Sequence, residues 1–264
     1  MRHPIPPGTR DVLADERREL RRLETALIDS FERFGYSEVQ TPAIEYHEVL
    51  ARGDERGAPA AYRFFDEAGE LLSLRTDMTV PIARLAASRL AASEPPFRLC
   101  YVGSAYRAVR PQRGQLREFV QAGVELIGPP GPGGTVEVIA VLDAALEAVG
   151  LGRAVIGLGD ALLYSGLLDE LEVGGEARDR VLAQLARHDL VGLEGELRAI
   201  DLAADERRTL LRVPALRGGR EVLEEARALG GAAVERATGR LSAVFDGLAG
   251  RGVAERVILD LGLV

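Results

Sequence analysis

The sequence has no lysine and a single cysteine, and each scarcity excludes a chemistry. Without lysine there is no Schiff-base amine and no phosphate-binding P-loop ammonium. Every formal basic side chain is an arginine. With Cys100 alone, no intrachain disulfide can form, and its place inside an apolar run marks it as core. No apolar run is long enough to span a bilayer, and the N-terminus has no apolar signal core, so the expected location is cytoplasmic and no membrane partner is expected. The net charge is -8, so the global basic field that would favour nucleic acid is missing. His3, His47 and His188 are far apart and show no metal-ligand spacing, which predicts no metal site and three surface histidines. No G-x-S-x-G, H-E-x-x-H, C-x-x-C or P-loop pattern is present, and Gly157-Leu158-Gly159-Asp160 is too short for a dinucleotide fingerprint. No catalytic residue and no cofactor is assigned.

What is present is an ordinary globular composition, 47% hydrophobic and 28% charged, over 264 residues, enough for one large domain or two smaller ones. Leu20, Leu23, Leu27 and Phe31 recur at helical spacing and predict a helix over 15–34 that Gly35 stops. A short strand follows at 37–40 and ends at Pro42. Residues 48–61 are polar and Gly/Ala-rich and read as a loop. Residues 62–65 and 71–74 flank a turn and read as a hairpin. A helix is expected over 79–92 with Pro81 in its first turn. Residues 129–134 (PPGPGG) break the chain, and a helix over 136–149 and a strand over 153–158 follow. From 160 to 252 no clear strand stands out. The pattern reads as helices at 161–171, 176–188, 191–200, 204–212, 219–229 and 232–250, before an apolar strand at 257–261.

The most informative stretch is Phe97 to Gly128. Two β-prone runs, 99–103 and 119–127, flank a loop carrying Arg107, Arg110, Arg113 and Arg117, which reads as a long antiparallel hairpin. Guanidiniums gathered around one turn favour an anion, most simply phosphate. Gln121 and Glu125 lie four residues apart on one strand, so they share a face. A carboxylate and an amide beside a cationic loop form a floor for a small amino-containing ligand.

These residues resemble motif 2 of the class II aminoacyl-tRNA synthetases in the histidyl form. The match runs through Tyr106-Arg107, Arg110-Pro111-Gln112-Arg113-Gly114, Arg117-Glu118-Phe119 and Gln121. Pro7-Gly8-Thr9-Arg10-Asp11 resembles the family's N-terminal signature. Thr41-Pro42-Ala43-Ile44-Glu45 resembles motif 1, whose proline helps form a dimer interface. Leu74-Arg75-Thr76-Asp77-Met78-Thr79 resembles the amino-acid-binding segment, in a form closer to a branch of the family that does not charge tRNA, the regulatory subunits of ATP phosphoribosyltransferase. The resemblance implies an α+β fold, a class II synthetase-like antiparallel sheet flanked by helices with a helical insertion. It divides the chain into a core at 1–159, an insertion at 160–252 and a return strand at 253–264. In the family that strand is followed by a histidine-recognition segment and a Gly-rich motif 3, and neither stands within these residues.

The resemblance also implies roles. Asp77, Thr79, Gln121 and Glu125 match positions that bind histidine. Arg107 matches the arginine on the ATP α-phosphate, and Arg117 joins it as an anion-binding residue. Val109 stands where synthetases carry a glutamate for adenine, and Gln115 where they carry a further arginine. The implied function is a non-catalytic subunit that binds histidine, and that activates and feedback-regulates the short catalytic ATP phosphoribosyltransferase, in the first step of histidine biosynthesis. It would act as a homodimer within a hetero-oligomer. Two alternatives stay open: a fragment of a histidyl-tRNA synthetase forming histidyl-adenylate, and a vestigial structural dimer. Plainer roles stand beside the site residues too: a solvated loop tip for Arg107 and Arg117, a wet sheet face for Glu125, a helix cap for Asp77. Glu45 is expected to pack or ion-pair at the dimer interface.

Overall fold

The computed structural model describes residues 5–53, 60–109, 115–128 and 130–263. His3, Arg110 and Arg113 lie outside them. The chain forms two compact units, one of residues 1–130 with 144–150, the other of residues 131–143 with 151–264.

The first unit opens with α1 (Ala14–Arg33) and β1 (Ser37–Glu38). Gly35 takes φ +81° between them, a left-handed turn that costs glycine little. After β2 (Ile44–Tyr46) and α2 (His47–Gly53) come β3 (Arg63–Phe65), β4 (Leu71–Leu74) and α3 (Thr79–Arg89), then β5 (Phe97–Tyr106) and β6 (Glu118–Ile127). Two three-stranded sheets result. In one, β5 and β6 pair antiparallel over ten residues, from Phe97 opposite Ile127 to Tyr106 opposite Glu118, and β1 runs parallel along the other edge of β5. In the other, β4 lies between β2 and β3, antiparallel to both. Met78 and Ile82 of the α3 region bury against Leu99 and Tyr101 of β5, with Val39, Leu85, Leu90 and Phe97 around them. That cluster fixes the start of α3 on the hairpin.

The second unit takes most of α4 (Pro132–Ala148), then β7 (Ile156–Leu158), α5 (Ala161–Glu170), α6 (Gly175–Ala186), α7 (Leu190–Arg198) and α8 (Ala204–Arg212). It continues with β8 (Arg217–Gly218), α9 (Glu221–Arg227), α10 (Ala232–Ala249) and β9 (Val257–Asp260). β9 pairs parallel with β7 and antiparallel with β8. The helices bury Leu163, Leu168, Leu193, Leu197, Leu210 and Leu223. Asp160 caps α5, its carboxylate accepting from the Leu162 N–H at 2.9 Å. Buried Tyr164 donates to the Leu210 carbonyl at 2.9 Å, so its polar tip is satisfied.

Three sequence expectations need correction. The start of the expected loop over 48–61 is helical, because α2 buries Leu50 despite having too few apolar residues to show a period. The stretch 160–252 does contain a strand, two-residue β8, too short to carry an alternating pattern. His47 is half-buried, with Nδ1 2.9 Å from the Ser73 hydroxyl oxygen, and is not a free surface histidine. The ion pair expected of Glu45 forms within the chain: Glu45 is buried, with Arg84 donating from Nε at 2.8 Å and from Nη2 at 2.6 Å. This is the two-pronged geometry that guanidinium and carboxylate favour.

Candidate functional site

Strand register builds the site. Gln121 stands opposite Gly103, Gly123 opposite Tyr101, and Glu125 opposite Leu99. Residues at alternate positions project to one side, so Tyr101, Gln121 and Glu125 share a face of the hairpin. Gly123 is small for a reason: a Cβ there would lie 2.6 Å from the Tyr101 phenol oxygen, so the ring lies over the glycine. Gln121 Nε2 donates to that oxygen at 3.3 Å. Its own Oε1 is buried and has no hydrogen-bond partner among the described residues.

The start of α3 supplies the rest. Asp77 Oδ1 accepts from the backbone N–H of Thr79 at 2.9 Å and of Val80 at 3.3 Å. Asp77 therefore does cap the first turn of α3, and only one of its two oxygens is used in doing so. The Thr79 hydroxyl bonds to the Glu125 carboxylate. The sheet thus brings all four sequence-predicted polar residues, Asp77, Thr79, Gln121 and Glu125, to one place. It adds a fifth, Tyr101, which sequence reasoning missed. A signal for it existed: in a paired register, glycine opposite an aromatic marks a ring lying across the strand.

The electrostatics follow from that crowding. Burial raises the Glu125 carboxyl above its ordinary value, the charge of Asp77 raises it further, and the Thr79 hydrogen bond opposes both. Tyr101 is pushed up to about 12, chiefly by burial and then by Glu125 and Asp77, so the phenol stays protonated near neutral pH. Two carboxylates on a half-buried face, with an amide oxygen lacking a donor, form a receptor for a cationic donor group.

The loop arginines divide. Arg107 is exposed and stacks over Phe119, 5.0 Å from the ring centroid. Arg117 is half-buried, and its Nε donates to the Val109 carbonyl at 2.8 Å. The loop base is closed by backbone bonds from the Arg107 N–H to the Arg117 carbonyl at 2.8 Å and from the Arg117 N–H to the Gly8 carbonyl at 2.7 Å. Gly8, at φ +81°, packs so tightly that a Cβ would meet the Arg117 stem at 2.9 Å. The N-terminal Pro-Gly-Thr-Arg-Asp segment therefore buttresses the arginine loop.

Beneath the site lies a residue whose interior place nothing in its spacing marks. Arg75 is buried, donating from Nε to the Ser104 carbonyl at 2.7 Å and from Nη1 to the Thr41 carbonyl at 2.8 Å, the Thr41 hydroxyl at 3.1 Å and the Pro42 carbonyl at 3.2 Å. It ties the Thr41–Pro42 segment and β5 to the segment bearing Asp77 and Thr79. Burial lowers its pKa.

The opposite face of the hairpin, with α1, lines a groove of about 570 Å³ that includes Leu20, Ile28, Val102 and Val120. Its cation Arg17 is paired with Glu24, at 2.8 and 3.0 Å, and Asp29 and Glu38 also line it. Among the described residues no group of three or more His, Cys, Asp or Glu is placed to hold a metal ion. Among them, too, no helix is long and apolar enough to cross a membrane.

The histidyl-tRNA synthetase family profile matches residues 8–264. The chain belongs to the class II histidyl-tRNA synthetase-like family. Within that family it is 40% identical, over 98% of its length, to the ATP phosphoribosyltransferase regulatory subunit of Moorella thermoacetica, of which it covers 67%. It spans about two thirds of the length of the curated relatives it matches. A crystal structure described as an ATP phosphoribosyltransferase regulatory subunit/histidyl-tRNA synthetase from Bacillus halodurans superposes on all of the chain with a TM-score of 0.92 at 32% identity, the chain covering 70% of that protein. A histidine–tRNA ligase subunit from Alicyclobacillus acidocaldarius gives a TM-score of 0.82 at 27% identity, with 100% of this chain and 81% of that one covered. The histidyl-tRNA synthetase-like family therefore carries an α+β fold of the class II type here, its long hairpin bearing the polar cluster.

Proposed function

We propose that this chain is a regulatory subunit of ATP phosphoribosyltransferase, that it binds histidine at Asp77, Thr79, Gln121 and Glu125, and that it is not itself catalytic. The observation that carries the reading is the convergence of two carboxylates, a hydroxyl and a donor-less amide oxygen on one face of the hairpin. An amino acid with a cationic ammonium and a side-chain N–H supplies the donors that this set lacks. The names of the relatives supply the partner, the catalytic ATP phosphoribosyltransferase subunit, which in this reading is the short form.

Val109 supports the non-catalytic part. Its side chain accepts no hydrogen bond from an exocyclic amine, and its carbonyl is taken by Arg117. Regulation then needs no chemistry in this chain: histidine binds one state of the complex better than the other and shifts the partner's equilibrium by that difference. The same reading activates the partner in the absence of histidine. It places the protein in the cytoplasm, with no membrane or nucleic-acid partner and no cofactor. It also divides the chain into a core at 1–159, a helical insertion at 160–252 and a return strand at 253–264. Self-association belongs to it as well. Ile44 and Tyr46 on β2 are 46% and 52% exposed, one within and one just after the segment that resembles motif 1.

Titrating the protein into a short-form catalytic subunit tests this: phosphoribosyl transfer should rise and become inhibitable by histidine, and unchanged transfer would overturn the reading. One observation favours a second reading, a synthetase fragment: Arg107, at the position of the α-phosphate arginine, is exposed on its loop. Arg107 and Arg117 would then clamp phosphate. ATP–pyrophosphate exchange dependent on histidine separates the two, since a regulatory subunit gives none.

A further inference from the structure

We propose that Tyr101 is the positioning residue of this site, holding the Gln121 amide so that its oxygen is left for the ligand. The inference rests on the histidine-binding reading and deepens it. An amide side chain presents a donor at one end and an acceptor at the other, and the two are nearly equal in shape. A carboxamide free to turn would offer an ammonium its NH₂ group half the time, which repels the ligand. Something must choose the orientation.

Tyr101 is placed to choose. Its phenol oxygen accepts from Gln121 Nε2 at 3.3 Å, and the ring is held over Gly123, where a side chain would collide with it. The phenol is buried within the cluster of Met78, Ile82 and Leu99, so the ring has little freedom. A hydroxyl could equally donate to an amide oxygen, which would turn Gln121 the wrong way. The charges of Glu125 and Asp77 act on this phenol and favour keeping its proton. An O–H beside two carboxylates directs its hydrogen toward negative charge, and its lone pair is what remains for the amide. The Gln121 N–H takes that lone pair, and Oε1 is left buried without a donor. Tyr101 thereby acts on the ligand through Gln121.

A double-mutant cycle on the 264-residue protein tests this, with histidine affinity read by titration calorimetry. Tyr101→Phe keeps the ring over Gly123 and removes only the oxygen. It should weaken histidine binding by between about 3- and 10-fold, the worth of one hydrogen bond, with an unchanged melting temperature. Gln121→Ala should weaken binding at least as much. In the Gln121→Ala background, Tyr101→Phe should then cost less than about twofold, because the group it positions is gone. Equal losses in both backgrounds would overturn the proposal and make Tyr101 a packing or direct-contact residue. So would an unchanged affinity in Tyr101→Phe alone. Absence of histidine binding in the unsubstituted protein would instead fail the histidine reading itself.

Discussion

Glu125→Gln should make the ligand-free protein more stable while weakening its hold on histidine. Burial and the Asp77 charge both disfavour the Glu125 carboxylate in the folded chain. The folded state therefore holds this proton more tightly than the unfolded state does. Below the ordinary value of 4.5 the group is protonated in both states and costs nothing. As pH rises, the unfolded chain ionises first and stability falls; above the raised folded value the cost is complete and constant. Glutamine is neutral throughout and keeps an acceptor for the Thr79 hydroxyl. Because Glu125 is half-buried and retains that bond, the gain belongs in the middle of the usual range for removing such a frustrated group, about 1 kcal/mol at pH 7 to 8. That corresponds to about 2–4 °C in melting temperature for a protein of this size. Differential scanning fluorimetry across pH 4 to 8 reads it. The variant's advantage should be largest at neutral pH and shrink to nothing toward pH 4. A variant less stable than the parent at pH 7.5, or an advantage independent of pH, would refute the electrostatic account of the site.

Arg75→Met should destabilise the protein by about 2–4 kcal/mol in urea unfolding, since three carbonyls lose their donor, and Arg75→Lys should recover little because an ammonium cannot reproduce the fork. Ser30→Ala should be neutral or stabilising by up to about 1 kcal/mol in the same assay, because the Ser30 hydroxyl is buried in α1 with no partner among the described residues and alanine suits a helix better. Cys100 should resist a thiol reagent at pH 8 in the folded protein and react on unfolding: it is fully buried, and its thiol is raised to about 11, chiefly by burial and then by Glu38 and Glu32. Gly123→Ala should weaken histidine binding beyond any loss of stability, as the Tyr101 ring is forced off the strand by a Cβ 2.6 Å from its oxygen.

Much of this was legible because it is local. The apolar period of Leu20, Leu23, Leu27 and Phe31 predicts α1 to within a residue at each end, and the two-residue alternation of a strand alone places Gln121 and Glu125 on one face of β6. What stayed hidden depends on partners far along the chain. β2 and β8 are two or three residues long and exist because β4 and β9 offer them an edge. The Glu45–Arg84 pair spans 39 positions, and Arg75 reaches 34 back to Thr41, so neither leaves a mark in spacing. Arginines are usually solvated, and composition gives no warning that one would be the keystone under the site. Asp77 was ambiguous for a different reason. One carboxylate both caps α3 and acts by its charge on Glu125, and a sequence cannot say that both happen.

The most direct test of the central claim is a calorimetric titration of histidine into the 264-residue protein and into its Glu125→Gln variant, at pH 7.5. Saturable binding with one site per chain, weakened at least tenfold in the variant, is the predicted result, a charged partner being worth more than about 1.4 kcal/mol here. No binding at millimolar histidine, or equal affinity in a folded Glu125→Gln variant, would contradict the account.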